Sequence, residues 1–184
     1  MRILAFQGSP RADGNTAALF AEVVKAAREA GADVTEIMLH GKKIAPCTSC
    51  YVCKAPGASG CVIRDDMDAI CEGVVGADAF LFATPIYWWS VSAQMKLLWD
   101  RFFALDYERA MKGKRAALVM TYGGALPNLG PEGTEAAFRD ICLYLAMDCV
   151  GVVGACTETV SASRNESAMN AARELGRMLT ASHP

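Results

Sequence analysis

The sequence lacks a surplus of charge of one sign and lacks any long apolar run, and both absences exclude classes of protein. Lys and Arg total 18 and Asp and Glu total 20 of the 184 residues, so the net charge is -2. Because no Lys/Arg-rich run is present, we expect no nucleic-acid partner and no binding to an anionic membrane surface. No apolar run approaches the roughly 20 residues that span a bilayer. We therefore expect no membrane partner.

We also expect no secretory leader, because the apolar run at residues 3–6 begins almost at once. This predicts a cytoplasmic protein. In that reducing compartment, the eight cysteines indicate metal binding, redox chemistry or simple burial, rather than a disulfide framework. Hydrophobic residues make up 53% of the chain and charged residues 21%, as in a globular protein. The length suits a single domain over residues 1–184.

Apolar runs alternate with amphipathic segments along the chain, and this alternation predicts the fold class. The predicted strands cover residues 3–6, 34–39, 79–83, 115–121 and 150–155. The predicted helices cover residues 16–30, 67–75, 93–103, 134–145 and 167–179. Such a pattern predicts a five-stranded parallel sheet with right-handed crossovers and helices on both faces. The count fits a flavodoxin-like three-layer α/β/α sandwich of strand order 2-1-3-4-5, with ligands bound beyond the carboxyl ends of strands 1, 3 and 4.

The loop after the first strand, GSPRADGNT at residues 8–16, predicts an anion site at a helix N-terminus. Its candidate donors are Ser9, Arg11, Asn15 and Thr16. The alternative is an ordinary strand-to-helix turn that Asn or Thr caps. The glycines are too far apart for a P-loop, no Lys follows them, and the dinucleotide pattern G-x-G-x-x-G is absent. The loop therefore favours another kind of phosphate.

The loops after the third and fourth strands carry aromatic residues and glycines. The first, TPIYWWS, contributes Pro85, Ile86, Tyr87, Trp88 and Trp89; the second, TYGG, contributes Gly123 and Gly124. We expect at least one of the three aromatic side chains to pack in the core or against another subunit, and the others to lie against a flat ring. The two glycines allow a backbone to approach a ligand closely, although a flexible turn is an equal alternative. A phosphate site beside an aromatic loop indicates FMN, with a mononucleotide as the weaker candidate.

A cysteine motif, Cys47-x2-Cys50-x2-Cys53-x7-Cys61, is the third candidate site in the sequence. Four thiolates so close in sequence can bind a 4Fe–4S cluster. Zinc is an alternative, although structural zinc sites more often use two separated Cys pairs, and free thiols are the third possibility. We expect the acidic pair that follows, Asp65 and Asp66, to cap the next helix.

In these motifs the sequence resembles the NAD(P)H-dependent FMN reductase and iron–sulfur flavoprotein superfamily. The matching stretches are GSPRADGNT, residues 47–67 ending in CVIRDDM, TPIYWWSVSAQMKLLWDR and TYGG. The resemblance implies that Ser9, Arg11, Asn15 and Thr16 bind the FMN phosphate. It implies that residues 85–88, Gly123 and Gly124 line the isoalloxazine ring, with Trp89 close by. Members of this family are usually homodimers or homotetramers.

The function that follows is an FMN-dependent oxidoreductase that transfers electrons from NAD(P)H through FMN to a small-molecule or protein acceptor. Because the flavin performs the chemistry, no side chain is assigned as a catalytic acid or base. One alternative is an iron–sulfur flavoprotein that relays single electrons from a ferredoxin-like donor through a 4Fe–4S cluster to FMN. The other is a non-enzymatic redox sensor that uses the same thiols.

Overall fold

The computed structural model describes residues 1–181, in which helices cover both faces of a mainly parallel sheet. The strands are β1 (Arg2–Gln7), β2 (Asp33–Met38), β3 (Ala79–Tyr87), β4 (Ser90–Val91), β5 (Arg115–Tyr122) and β6 (Asp148–Cys156). The helices are α1 (Asn15–Glu29), α2 (Met67–Gly76), α3 (Ala93–Arg101), α4 (Tyr107–Ala110), α5 (Leu129–Tyr144) and α6 (Glu166–Thr180). Short 3₁₀ turns lie at Val52–Lys54, Phe102–Ala104 and Ala162–Arg164.

The parallel strands follow the order β2-β1-β3-β5-β6, so the predicted flavodoxin-like order 2-1-3-4-5 is confirmed. The sequence did not predict β4, a two-residue strand that pairs with the end of β3 in an antiparallel hairpin. As a result β3 extends to Tyr87, well beyond the predicted end at Ala83. The carboxyl ends of β1, β3 and β5 lie next to one another, and the loops of interest leave the sheet there.

The sheet separates two apolar cores. The core under α2, α3 and α5 is rich in aromatic rings, among them Phe6, Phe80, Phe82 and Phe138. The core under α1 and α6 is built mostly of aliphatic side chains. Strands β1, β3 and β5 contribute to both cores, which explains why their sequences are almost continuously apolar rather than alternating. Within residues 1–181, no helix combines the length and apolar character needed to cross a membrane.

Helix α5 begins at Leu129, five residues before the predicted start at 134. Glycine and proline at Gly130, Pro131 and Gly133 conceal this first turn in the sequence, because both residues disfavour helix interiors. Near a helix N-terminus, however, proline is tolerated, and the Asn128 side chain accepts a hydrogen bond from the Gly130 N–H at 3.0 Å. The earlier start places the N-terminus of α5 beside the loop that follows β3.

Candidate flavin site and cysteine segment

Residues 8–16 connect the carboxyl end of β1 to the first turn of α1, as predicted. Gly14 occupies the N-cap position of α1, and no side chain makes a capping hydrogen bond there. The alternative of a turn capped by Asn or Thr is therefore wrong. The first N–H groups of a helix have no intrahelical partner. In α1 they remain available to an anion, and the helix dipole favours negative charge at this position.

The predicted phosphate donors differ in burial and in the hydrogen bonds that they already make within the chain. Ser9 is buried, and its Oγ accepts a hydrogen bond from the Arg11 N–H at 3.2 Å. Arg11 is exposed and folds back over the loop, with its Nε 3.6 Å from the place where a Cβ on Gly14 would stand. The Asn15 side-chain oxygen accepts from the Ala162 N–H at 3.0 Å, which leaves its amide N–H groups as donors.

Two hydrogen bonds join this loop to the ends of β5 and β3. The hydroxyl of Thr16 lies 2.7 Å from that of Thr121, and both residues are buried. The Ser92 hydroxyl, just after β4, donates to the Gly8 carbonyl oxygen at 2.8 Å. Both bonds connect residues far apart in sequence. They hold the loops after β1, β3 and β5 in one arrangement at the carboxyl edge of the sheet.

The aromatic loop is the tip of the β3–β4 hairpin. Tyr87 and Ser90 pair across it, and Trp88 and Trp89 form the turn with φ of 49° and 59°. Two consecutive left-handed residues are typical of a type I′ turn, which normally uses Asn and Gly. The left-handed conformation costs non-glycine residues roughly 1–2 kcal/mol each. Strain of this kind is found at functional sites.

All three aromatic side chains of this loop are exposed: Tyr87 by 47%, Trp88 by 90% and Trp89 by 63%. Packing of one of them in the core, the first of the two expected placements, is therefore wrong, and packing against another subunit stays a prediction. The hairpin turns the chain back before the rings can enter the sheet–helix interface. Pro85, by contrast, is buried inside β3, opposite Thr121 of β5.

An open cleft of about 540 Å³ brings the ring-side candidates together. The predicted residues that line it are Ile86, Trp88, Trp89, Gly123 and Gly124. Its other lining residues are Tyr122, Ala125, Pro127, Asn128 and Leu129. Tyr87 and Pro85 do not line it, and neither do the phosphate-loop residues. The candidate site therefore has two parts, a loop at α1 and a cleft beside it, joined by the hydrogen bonds of Thr16 and Ser92.

The Gly123-Gly124 turn is held in place by a side chain. Asn128 donates from Nδ2 to the carbonyl oxygens of Gly123 and Gly124, at 3.1 and 3.2 Å. Gly124 has a φ of +75°, which favours glycine, and a Cβ on Gly123 would meet no atom within 4 Å. This turn presents open backbone to the cleft.

The four motif cysteines line one small cavity of about 20 Å³, together with Arg101. Cys47 and Cys50 are exposed, Cys53 and Cys61 are half-buried, and none of the four forms a disulfide bond. Among residues 1–181, no three His, Cys, Asp or Glu side chains converge closely enough to hold a metal ion. A single zinc ion would hold its thiolates ~3.8 Å apart. A 4Fe–4S cluster is larger, so binding one requires the segment to open around it.

The backbone of this segment is constrained around Cys50, whose pKa is lowered by its hydrogen bonds. Ser49 and Tyr51 have positive φ values of 54° and 58° on either side of Cys50. The pKa of Cys50 lies below its ordinary value because the Val52 N–H and the Thr48 hydroxyl bond to the sulfur. Thiolate is the form of cysteine that binds metals. The donor chemistry of the segment thus fits an iron–sulfur cluster.

A match to the NADPH-dependent FMN reductase family model covers residues 1–157. An iron–sulfur flavoprotein of Methanocaldococcus jannaschii is 35% identical over 151 residues, which span 82% of this chain and 76% of that protein. A second relative is YwqN of Bacillus subtilis, whose name describes an NAD(P)H-dependent FMN-containing oxidoreductase. It is 30% identical over an alignment that covers 95% of this chain and 96% of the YwqN chain.

The chain belongs to the NADPH-dependent FMN reductase family. It is accordingly an NAD(P)H-dependent oxidoreductase with FMN as its cofactor. A solved NAD(P)H:quinone oxidoreductase from Methanothermobacter marburgensis superposes with a TM-score of 0.78 and 19% identity, covering 100% of this chain and 99% of that one. At that identity the likeness concerns the fold alone.

One residue of this FMN reductase that sequence reasoning missed supports the fit to a phosphate. Gln7, the last residue of β1, is buried, and its Oε1 accepts from the Ser9 N–H at 3.1 Å. Its Nε2 has no hydrogen-bond partner in the described part of the chain. An unpaired buried donor costs roughly 1–3 kcal/mol, which an acceptor bound in the loop would relieve. The signal available in the sequence was a polar residue that closes an apolar strand.

The second missed residue is Arg101, at the end of α3. Its side chain is only 2% exposed and forms a two-pronged ion pair with Asp65, with N–O distances of 2.6 and 3.1 Å. Asp65 also accepts from the Met67 N–H at 3.0 Å, so the predicted capping role is only part of what it does. Asp66 makes no capping hydrogen bond and instead accepts from the Lys43 N–H. The burial of Arg101 could not be predicted from the sequence, because charged residues are rarely buried.

Proposed function

We propose that this FMN reductase transfers electrons from NAD(P)H through FMN to a small-molecule or protein acceptor, with FMN bound across the α1 loop and the adjoining cleft. Ser9, Arg11, Asn15 and Thr16 would bind the phosphate. Residues 85–88, Gly123 and Gly124 would line the isoalloxazine, with Trp89 beside them. When bound, FMN supplies the exchange of a hydride or of single electrons.

One observation supports this assignment most directly. The anion-binding first turn of α1 and the aromatic cleft are locked together by the Thr16–Thr121 and Ser92–Gly8 hydrogen bonds. A ligand that fits both parts carries a phosphate at one end and a flat ring at the other. FMN has this form.

Each group of residues then has a distinct task. The α1 turn and Arg11 neutralise the phosphate, and Gln7 donates an amide N–H toward it. The Gly123-Gly124 turn lets backbone approach the ring edge, while Trp88 and Trp89 exclude water from one side of the cleft. These groups bind and orient, and no side chain is required to take or give a proton.

Flavin titration tests the phosphate assignment. We expect the Arg11→Ala variant to bind FMN about tenfold more weakly, because a hydrogen bond to a charged group contributes about 1.5 kcal/mol or more. Riboflavin lacks the phosphate, so its affinity should not change. Fluorescence quenching of each flavin measures both affinities.

Arg177→Ala is the matched control, because Arg177 is an exposed arginine on α6 that pairs with Glu174 on the surface. It should bind both flavins like the wild type. Equal losses of FMN and riboflavin binding in Arg11→Ala would reject the phosphate assignment. A wild-type protein that binds no flavin would reject the function as a whole. For the acceptor, a quinone is the first choice to assay, followed by another flavin, nitro and azo compounds and proteins.

A second function is favoured by the cysteine segment, namely a relay of single electrons through a 4Fe–4S cluster to FMN. Its support is the arrangement of Cys47, Cys50, Cys53 and Cys61 around one cavity, together with the name of the Methanocaldococcus jannaschii relative. Anaerobic reconstitution with iron and sulfide should give about four irons per chain and broad visible absorbance. Protein that retains its flavin but takes up no iron would reject the relay and leave the first proposal intact.

Association into a homodimer or homotetramer completes the proposal. Its support is the exposed apolar surface at the cleft, where Trp88 and Trp89 adjoin Leu129, which is 76% exposed. Light scattering during gel filtration should give two or four times the chain mass of 19.6 kDa. A monomer at micromolar concentration would contradict it.

A further inference from the structure

The buried Arg101 side chain binds both ends of the cysteine segment at once. Its Nη1 donates to the carbonyl oxygen of Ala45 at 2.9 Å, two residues before Cys47. Its Nη2 donates to the carbonyl oxygen of Ile63 at 3.2 Å, two residues after Cys61. One guanidinium therefore closes the loop that carries all four motif cysteines.

Asp65 completes this closure. It pairs with both nitrogens of the Arg101 fork, and its Oδ2 also accepts from the Ala45 N–H at 2.9 Å. A planar, two-pronged ion pair of this kind fixes direction as well as distance. The two backbone segments that enter and leave the loop are thus tied to the same two side chains.

Between these ends few contacts anchor the segment to the rest of the chain. Tyr51 packs edge-on against Phe103, with ring centroids 5.6 Å apart. Lys54 donates to the Leu105 carbonyl oxygen at 2.9 Å and lies over the rings of Phe103 and Tyr107. The other hydrogen bonds found for residues 46–62, within the described chain, stay inside the segment. The middle can therefore open to admit a cluster while its ends stay in place.

Arg101 also lies against the thiols themselves. It lines the small cavity with all four cysteines, and its Nε is buried without a partner among residues 1–181. A guanidinium stays protonated at every pH at which proteins are folded, so Arg101 is a constant positive charge. A fixed cation at this position would offset the negative charge that four thiolates bring to a cluster.

We propose that Arg101 is a positioning residue for the iron–sulfur cluster, which holds the ends of the cysteine segment and places a permanent positive charge beside Cys61. This inference rests on the proposed relay. It assigns a role in cluster assembly to a residue that is not itself a ligand. Asp65 acts through Arg101 by fixing the direction of its guanidinium.

The test uses the flavin-loaded protein with both charges of the pair removed together, as Arg101→Met with Asp65→Asn. Neutralising both partners avoids an unpaired buried charge, which would destabilise the fold. The asparagine that replaces Asp65 retains an oxygen to accept from the Met67 N–H. The flavin content should stay at the wild-type level, whereas iron and sulfide bound after anaerobic reconstitution should fall at least fivefold.

A second readout does not depend on the cluster. In the iron-free double variant, amide hydrogen exchange across residues 45–65 should accelerate at least tenfold, because the ends of the cysteine segment are no longer held by Arg101. Arg101→Lys keeps the charge without the fork, so its iron content should be intermediate. The control variant, Arg115→Met with Asp148→Asn, removes another buried arginine and its acidic neighbour, at sheet positions away from the four motif cysteines. It should load iron normally.

Four outcomes would overturn the proposal. Full iron loading in the Arg101/Asp65 double variant, or unchanged exchange across residues 45–65, overturns the role of Arg101 alone. Equal iron loss in the Arg115/Asp148 control also overturns it, because the effect would then be general destabilisation. A wild-type protein that takes up no iron overturns the relay and this inference together.

Discussion

Gln7 and Arg101 are both almost fully buried, and each keeps one nitrogen without a partner among residues 1–181. Buried polar groups are normally hydrogen-bonded, so such exceptions need an explanation. Gln7 lies at the phosphate loop and Arg101 at the cysteine segment. Two of the four buried side-chain atoms without a partner among the described residues thus lie where the proposed function puts negative charge; the other two are Arg115 Nε and Thr134 Oγ1.

At Gln7 this leads to a prediction for Gln7→Glu, a change that preserves shape. The new carboxylate can still accept from the Ser9 N–H, but it replaces the Nε2 donor by a negatively charged oxygen. We expect FMN affinity to fall about tenfold or more, equivalent to ~1.4 kcal/mol. Riboflavin affinity should fall much less. Titration of both flavins at pH 7 measures this difference, and an equal loss for both would place Gln7 away from the phosphate.

The Asp65–Arg101 pair gives a prediction for stability. We expect Asp65→Asn to lower the free energy of unfolding at pH 7 by about 3 kcal/mol, because it leaves Arg101 charged and unpaired in the interior. Urea denaturation of the flavin-free protein measures the change. A surface variant such as Glu108→Gln, which breaks an exposed pair with Lys112, should change it by less than about 1 kcal/mol.

The same pair predicts a pH dependence. Burial alone would raise the pKa of Asp65, but hydrogen bonds from Arg101, Ala45 and Met67 lower it below the ordinary value of 3.8. A depressed carboxyl pKa adds stability above the unfolded-state pKa, which is lost as the pH falls through the folded-state pKa. The difference between wild type and Asp65→Asn should therefore be constant from pH 5 to 8 and shrink below about pH 4.

At the scale of elements, the hairpin at β3–β4 combines a strained turn with a ligand-sized cleft. A Trp-Trp sequence in a type I′ turn conflicts with local preference. Replacing Trp88 by Asn and Trp89 by Gly should raise the free energy of unfolding of the flavin-free protein by about 1 kcal/mol, since it removes left-handed strain. It should also weaken riboflavin binding about tenfold. Urea denaturation tests the predicted gain in stability, and flavin titration tests the predicted loss of affinity. A destabilised variant with unchanged flavin affinity would contradict both predictions.

A helix or strand could be predicted from the sequence where its local residues determine its conformation. The central strands could be predicted because they are continuous apolar runs. Helix α1 could be predicted because its apolar residues lie on one face. The β4 hairpin did not, because Trp88 and Trp89 adopt positive φ against their own preference. The first turn of α5 was hidden because Gly130 and Pro131 read as loop residues, although Asn128 caps the turn. Both misses lie at the ring-side cleft, where tertiary contacts override propensity.

The site shows the same division. The α1 loop could be proposed as a phosphate site because an anion site is a local feature of a strand, a loop and a helix start. The cleft required the strand order, which the alternating pattern supplied. Gln7 and Arg101 could not be assigned, because their importance comes from burial and from partners distant in sequence, such as Ala45 and Asp65.

At the scale of the whole molecule, the two cores share one sheet. Strands β1, β3 and β5 place apolar side chains in both, so separating α1 and α6 from the sheet would also expose the strands that support α2, α3 and α5. This coupling predicts that residues 1–184 form one cooperative unit. The expectation differs from that for a chain of two domains, whose cores would melt independently.

Calorimetry of the flavin-free protein should therefore give one transition, with equal calorimetric and van't Hoff enthalpies after any association is accounted for by varying concentration. FMN at 100 times its Kd should stabilise the whole transition by about 2.7 kcal/mol, because the ligand binds only the folded chain. Two separate transitions, of which FMN shifts only one, would contradict the single unit. The candidate site lies at the ends of β1, β3 and β5 and the start of α1, so a shift of the entire transition is the outcome that a shared sheet requires.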